Sequence, residues 1–333
     1  MEHSAVSGRA APALTIDPAR GGLLAAGSIM LAVGVTMTDT RLDVAWSNGV
    51  HLIVALVAFT FVFGLALLSP IGDRPLAYQA VLSLSGLALL VLLLDRLARV
   101  FGVHSPFSTS GTVMWMSAVF TLVAALAALR FQSLACALLS GLGASAFALT
   151  FVDKVFNPSG VNTFRWVLFL LALGFAAAAV VLRTSPWSGY SVPAVDVAGF
   201  MLIGLGGTFV VAQLIGRINP LAAGLPSAHP GFGWKAILVL GSLALFVYAT
   251  LTRERGPGFI GLVSIVITIL VVAPTAASPS IVGWPLVLLL GAAAAFGLGL
   301  APRGRPSGAA PPPPPPAPPP PAAAGEPPPP PAV

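Results

Sequence analysis

Charge is scarce in this chain. Asp, Glu, Lys and Arg make up 8% of its 333 residues, where soluble domains carry about 25%. That scarcity excludes an ordinary solvated surface, and an apolar content of 57% suits a bilayer instead. Cysteine is scarcer still. Cys136 stands alone, so neither an intrachain disulfide nor a cysteine metal cluster can form, and inside its apolar run it reads as a small core residue. His3, His51, His104 and His229 fall in separate segments with no pair four residues apart, so no metal-ligand set is expected. HExxH, GxSxG, Walker A and CxxC patterns are missing, and with them the chemistry those spacings support. The sixteen Lys and Arg exceed the ten Asp and Glu, giving +6, but they sit singly at the ends of apolar runs. Such a pattern meets lipid head groups rather than nucleic acid. No cofactor and no nucleic-acid partner is expected, and the lipid bilayer is the first partner implied.

What the chain does contain is a succession of apolar runs. A helix crossing ~30 Å of hydrocarbon needs roughly 17–25 apolar residues, and ten runs approach that length: 21–37, 49–68, 76–94, 112–129, 132–151, 164–182, 196–215, 235–251, 258–273 and 281–301. The predicted fold is therefore an all-α, polytopic helical bundle spanning 21–301, after a short segment 1–20 that lacks the basic start of a cleaved signal peptide. The fourth and fifth runs are parted only by "RFQS" at 130–133, and the ninth is short for a full crossing. With the amino terminus inside, nine Lys and Arg fall on inside segments and seven outside. The longer, Gly-, Pro- and Ser-rich loops 95–111 and 216–233 then lie outside. Both biases put the two termini in the cytoplasm of a multi-pass cell-membrane protein.

The runs repeat. Ser-Pro pairs stand at 69–70 and 185–186, and Pro70, Pro186 and Pro302 are spaced evenly by 116. Two extra loop residues then move the offset to 118, which pairs Pro75 with Pro193, Gly86 with Gly204, Asp95 with Gln213, and Arg99 with Arg217. Trp115 and Trp234 follow at 119. Upstream, "TMTDTRLDVAWSNGVHL" and "TFVDKVFNPSGVNTFRW" share an acidic start, a polar break with Gly and a new apolar helix. The unit is four helices long, helices 2–5 matching 6–9. Helix 1 stands in for a fifth-type helix, and helix 10, with Trp284 echoing Trp166, opens a third copy. An even number of helices keeps both copies in one orientation, a parallel repeat.

Chemistry is thinly marked. The centres of all ten runs lack Asp, Glu, Lys, Arg and His, which argues against a proton relay or a voltage sensor, since ionisable groups at that depth persist for function. Asp95 and Arg99 lie one helical turn apart and form an expected surface pair, with Gln213 and Arg217 as its repeat equivalents. Asp39 and Asp43 in the first outer loop, with Asp153 in the third, are the acid–base candidates. Polytopic glycosyltransferases that use lipid-linked sugar donors carry a catalytic aspartate in a first outer loop, so that class is the enzymatic alternative. Non-enzymatic readings come first: handling of an apolar or lipid-like solute, or service as an accessory subunit of a membrane complex. Small-residue stretches at 141–145, 204–207 and 291–299 mark close helix approach. Beyond 302, "PPPPPPAPPPP" and "PPPPP" forbid helix and sheet. The tail 302–333 is expected to be an extended, disordered polyproline segment whose last part reaches at most on the order of 80–90 Å at ~3.1 Å per residue. It would serve as a spacer or as a docking segment for a cytoplasmic partner.

Overall fold

A computed structural model describes the backbone of residues 18–69, 77–158, 160–218 and 230–272, with side chains for 21–69, 77–158, 160–215 and 230–271. The tenth apolar run, the amino-terminal segment before Pro18, the proline-rich tail, and Pro70, Pro75, Trp284 and Pro302 lie outside the described residues, as does the side chain of Arg217.

The described residues form nine α-helices and no strand: α1 Pro18–Arg41, α2 Asn48–Leu68, α3 Ala77–Val100, α4 Ser110–Phe131, α5 Leu134–Phe156, α6 Val161–Arg183, α7 Ser191–Ile218, α8 Phe232–Thr252 and α9 Arg255–Val272. Eight of them are long and apolar enough to cross a membrane; α9 is shorter. Each takes up one of the first nine apolar runs. Several also continue beyond the run into the charged residues that bound it, because a helix's hydrogen-bond ladder does not stop at the edge of the hydrocarbon. Two loop assignments, those of Asp39 and Asp153, are corrected by this extension, and the helical spacing read for Asp95 and Arg99 falls within α3. Asp39 belongs to the last turns of α1 and Asp153 to the end of α5.

The "RFQS" stretch does divide two helices. Gln132 adopts the left-handed conformation (φ 48°) and its N–H returns to the Ala128 carbonyl, while Ser133 caps α5 by accepting from the Cys136 N–H. A two-residue link thus folds α4 back on α5. Arg253 (φ 60°) makes the same kind of turn between α8 and α9.

Two helices are central. α3 packs against α1, α2, α4 and α5, and α7 packs against α5, α6, α8 and α9. About half of each is buried, a larger share than in any other described span. Small residues allow this. A Cβ on Gly86 of α3 would lie 2.9 Å from the Phe63 ring, and one on Gly206 of α7 would lie 2.6 Å from Ile267. The apolar interior accordingly forms two clusters. One gathers around Leu82, Leu87, Leu89 and Ala124; the other gathers around Val197, Leu205, Phe209 and Leu238. Hydroxyls stitch the helices: Ser28 donates to Ser85 between α1 and α3 (3.2 Å), and Ser242 bonds Ser264 (2.7 Å) and Thr268 (3.1 Å) between α8 and α9. Cys136 is fully buried, its thiol 3.3 Å from the Ser83 hydroxyl.

Candidate functional site

The densest set of charges gathers where α1, α2 and α3 meet, at the end of the bundle holding the α1–α2 turn. Its centre is Arg96, 3% exposed. Its Nε and one terminal nitrogen donate to the same oxygen of Asp39 at 3.0 and 2.5 Å, and the other terminal nitrogen donates to Asp43 at 2.8 Å. The second oxygen of Asp39 faces Nδ1 of His51 at 2.8 Å, and the Trp46 ring leans on that imidazole with centroids 5.5 Å apart. One turn on, Arg99 donates to Asp95 at 3.0 Å. Two guanidinium groups therefore face three carboxylates, with the His51 imidazole against one of them.

Arg96 sits in the last turns of α3, on the face turned toward α1 and α2, and Asp39 reaches it only because α1 continues to Arg41. Removing charges from water is costly, and mutual pairing with hydrogen bonds offsets that cost. Asp43 lies outside the spans, and the hydrogen bond from Arg96 holds its carboxyl below the usual carboxylate range. His51 Nε2 and one oxygen of Asp95 are buried without a hydrogen-bond partner. The Asp95–Arg99 pair forms as the spacing implies, but Asp95 is buried rather than on the surface (8% exposed). Arg99 is half-buried, and with Asn48, Gly102, Val103 and His104 it lines a cavity of about 320 Å³.

The corresponding region of α4–α7 is built differently. Asp153 takes a hydrogen bond from Ser110 of α4 rather than from an arginine. Arg165 of α6, also 3% exposed, donates to Thr208 at 3.1 Å and lies 3.7 Å over the Phe209 ring. Trp234, Trp166 and Phe169 extend this aromatic group. Gln213 donates to the Val271 carbonyl at 3.4 Å, tying α7 to α9. Of the residues singled out from sequence, Asp39 and Asp43 thus come together, and Asp153 and Gln213 stand elsewhere. Arg96, His51 and Arg165 were missed. Lone cations at run ends look like snorkelling residues, and the one usable signal was Arg96 completing "DRLAR" beside two acids a helix away.

A second feature is apolar. α6 and α8 each pack on α7 but hardly on one another, leaving a groove with α7 as its floor and a cavity of about 500 Å³. Its floor holds Val195, Ala198 and Leu202, all buried, and its rims hold Leu173, Val180 and Leu240, all more than half exposed. The room comes from the Ala-rich face of α6, with Ala172, Ala176 and Ala179 along it, and from Gly241 and Ala244 of α8. Along α6 it runs from Phe169 to Arg183, ~21 Å at 1.5 Å per residue, which exceeds half of a ~30 Å hydrocarbon core. Arg183 closes the end, its guanidinium 5.3 Å from the Tyr248 ring centroid.

Among the described residues, no group of three or more His, Cys, Asp or Glu could hold a metal ion. No protein-family model, curated protein or solved structure matches the chain.

Proposed function

We propose that the chain is a multi-pass membrane protein that handles a lipid-like apolar solute in the groove between α6 and α8. The carrying observation is the groove itself: apolar walls, exposed rims facing the side of the bundle, and a length fitted to an acyl chain rather than to a compact polar substrate. Sites of this kind are concave, mostly apolar and largely pre-formed. The acid–base alternative takes second place, since Asp39 and Asp43 are already engaged by Arg96 and Asp153 by Ser110.

The reading extends to architecture. Ten crossings, cytoplasmic termini, a parallel repeat and a free polyproline tail complete it. Several observations support the repeat. α2 pairs with α3 as α6 does with α7, and α4 with α5 as α8 with α9. α1 lies on α3 as α5 lies on α7. Trp115 and Trp234 pack on the first and second apolar clusters respectively.

The functional test is reconstitution of the full chain into vesicles carrying a fluorescent acyl-chain lipid analogue, with its movement between leaflets followed by quenching. The wild type should accelerate movement over protein-free vesicles, and Ala176→Trp, which fills the groove from an exposed position on α6, should abolish the gain. Equal movement with wild type, variant and empty vesicles would remove the proposal. Reporter fusions after Arg74, Arg183 and Arg255 should report cytoplasm, and those in 104–108 the outside.

A further inference from the structure

Arg183 gives the groove a sign. Among the described residues it is the one charged side chain lining the cavity. It is exposed at the last turn of α6, and no described carboxylate lies within ion-pair distance of it. Its described contact is the Tyr248 ring, which fixes a cation in place without neutralising it. A guanidinium so placed keeps its planar set of donors for an anion that can accept two of them at once, and phosphate has the matching geometry.

The rest of the groove limits what that anion is attached to. Between Arg183 and Phe169 the walls are Ala, Leu, Ile, Val, Gly and aromatic side chains, and a polar ligand would leave its hydrogen-bonding groups unsatisfied there. The rims are exposed, so the occupant enters from the side, out of the hydrocarbon. We infer that the groove holds one acyl chain of an anionic bilayer phospholipid, drawn from the leaflet on the Arg183 side, with the lipid's phosphate against Arg183. This rests on the groove being the solute site and adds the charge, the leaflet and the orientation. Because no described carboxylate pairs with Arg183, its charge favours a net negative head group over a zwitterionic one, whose ammonium it would repel.

The test uses the full chain, reconstituted in equimolar phosphatidylglycerol and phosphatidylcholine and extracted gently, with retained lipids counted by native mass spectrometry. The wild type should retain phosphatidylglycerol over phosphatidylcholine by about fivefold: both lipids offer Arg183 a phosphate, and the margin is the scale of one like-charge contact between guanidinium and choline ammonium at a wet interface. Arg183→Gln should bring the two near parity while binding persists, and Arg183→Lys should keep part of the preference. Ala176→Trp should retain neither lipid. Leu173→Trp, at the rim, repeats that test should the first variant not fold. Equal retention of both lipids by the wild type, or an unchanged preference in Arg183→Gln, would overturn the head-group assignment while leaving the groove intact. Retention by Ala176→Trp and Leu173→Trp at the wild-type level would overturn the groove itself.

Discussion

The helices up to α5 and those from α6 onward solve one packing problem with different side chains. Around α3, the bundle end is closed by paired charges: Arg96 ties α1 and the α1–α2 turn to α3, with His51 beneath. Around α7, the comparable place is held by a cation on an aromatic face, Arg165 over Phe209. At the other end the contrast reverses. Reading back 116 residues from the second Ser-Pro pair, Arg183 stands where the first has Leu67, and Ala179 where it has Phe63. Phe63 fills the space beside Gly86, whereas Ala179 leaves the α6–α8 groove its room. A single bulky or small side chain can thus close one helix contact or leave another open.

Breaking the two charge centres should separate them most clearly. Arg96→Ala leaves Asp39 and Asp43 without their shared donor, and removing one partner of a buried pair costs about 3–5 kcal/mol. Arg165→Ala should cost less, on the order of 2 kcal/mol, the scale of a desolvated cation–π contact. Thermal unfolding in mild detergent orders the two, and an equal or reversed order would show that the halves are not held as described. The glycines come next. Gly86→Leu and Gly206→Leu each force a side chain into an occupied contact, and overpacking of that kind costs about 1–3 kcal/mol. Ser242→Ala removes hydroxyl bonds between α8 and α9 and should lower stability by about 0.6 kcal/mol, the usual worth of an interhelical hydrogen bond in a membrane.

Acid sharpens the comparison further. Asp43's carboxyl lies below the ordinary range in the folded chain, so its pairing adds stability above the unfolded value of ~3.9 and loses it as pH falls through the lower folded value. Wild type should weaken below about pH 4, and Asp43→Asn should show a shallower fall in that window. An identical acid profile in the two proteins would mean that the Asp43–Arg96 pair contributes nothing. The smallest effect is expected from deleting 306–333, a stretch whose proline runs enter neither helix nor sheet; an unmoved melting temperature is the expected result, and a lowered one would show that the stretch packs on the bundle.

The helices were legible because an apolar run of bilayer length has few alternative fates. Their ends were not, since a stretch such as "TDTRLD" reads as loop by polarity although most of it continues α1. The charge cluster escaped for a related reason. Asp39 and Arg96 are 57 residues apart, and nothing local in either segment names the other as its partner. The Asp95–Arg99 pair was readable because its spacing is helical, but the burial of Asp95 was not, since it depends on what packs over that end of α3. Least legible was the groove, which exists because α6 and α8 stay apart over α7, a relation between three helices to which the Ala run contributes only the missing volume.

The most direct measurement is an experimental density map of the full chain in nanodiscs containing phosphatidylglycerol. An elongated chain of density between α6 and α8, with its head group at Arg183 and Tyr248, is the expected result. A groove closed by contact of α6 with α8, or one left empty while ordered lipid occupies other faces of the bundle, would contradict it.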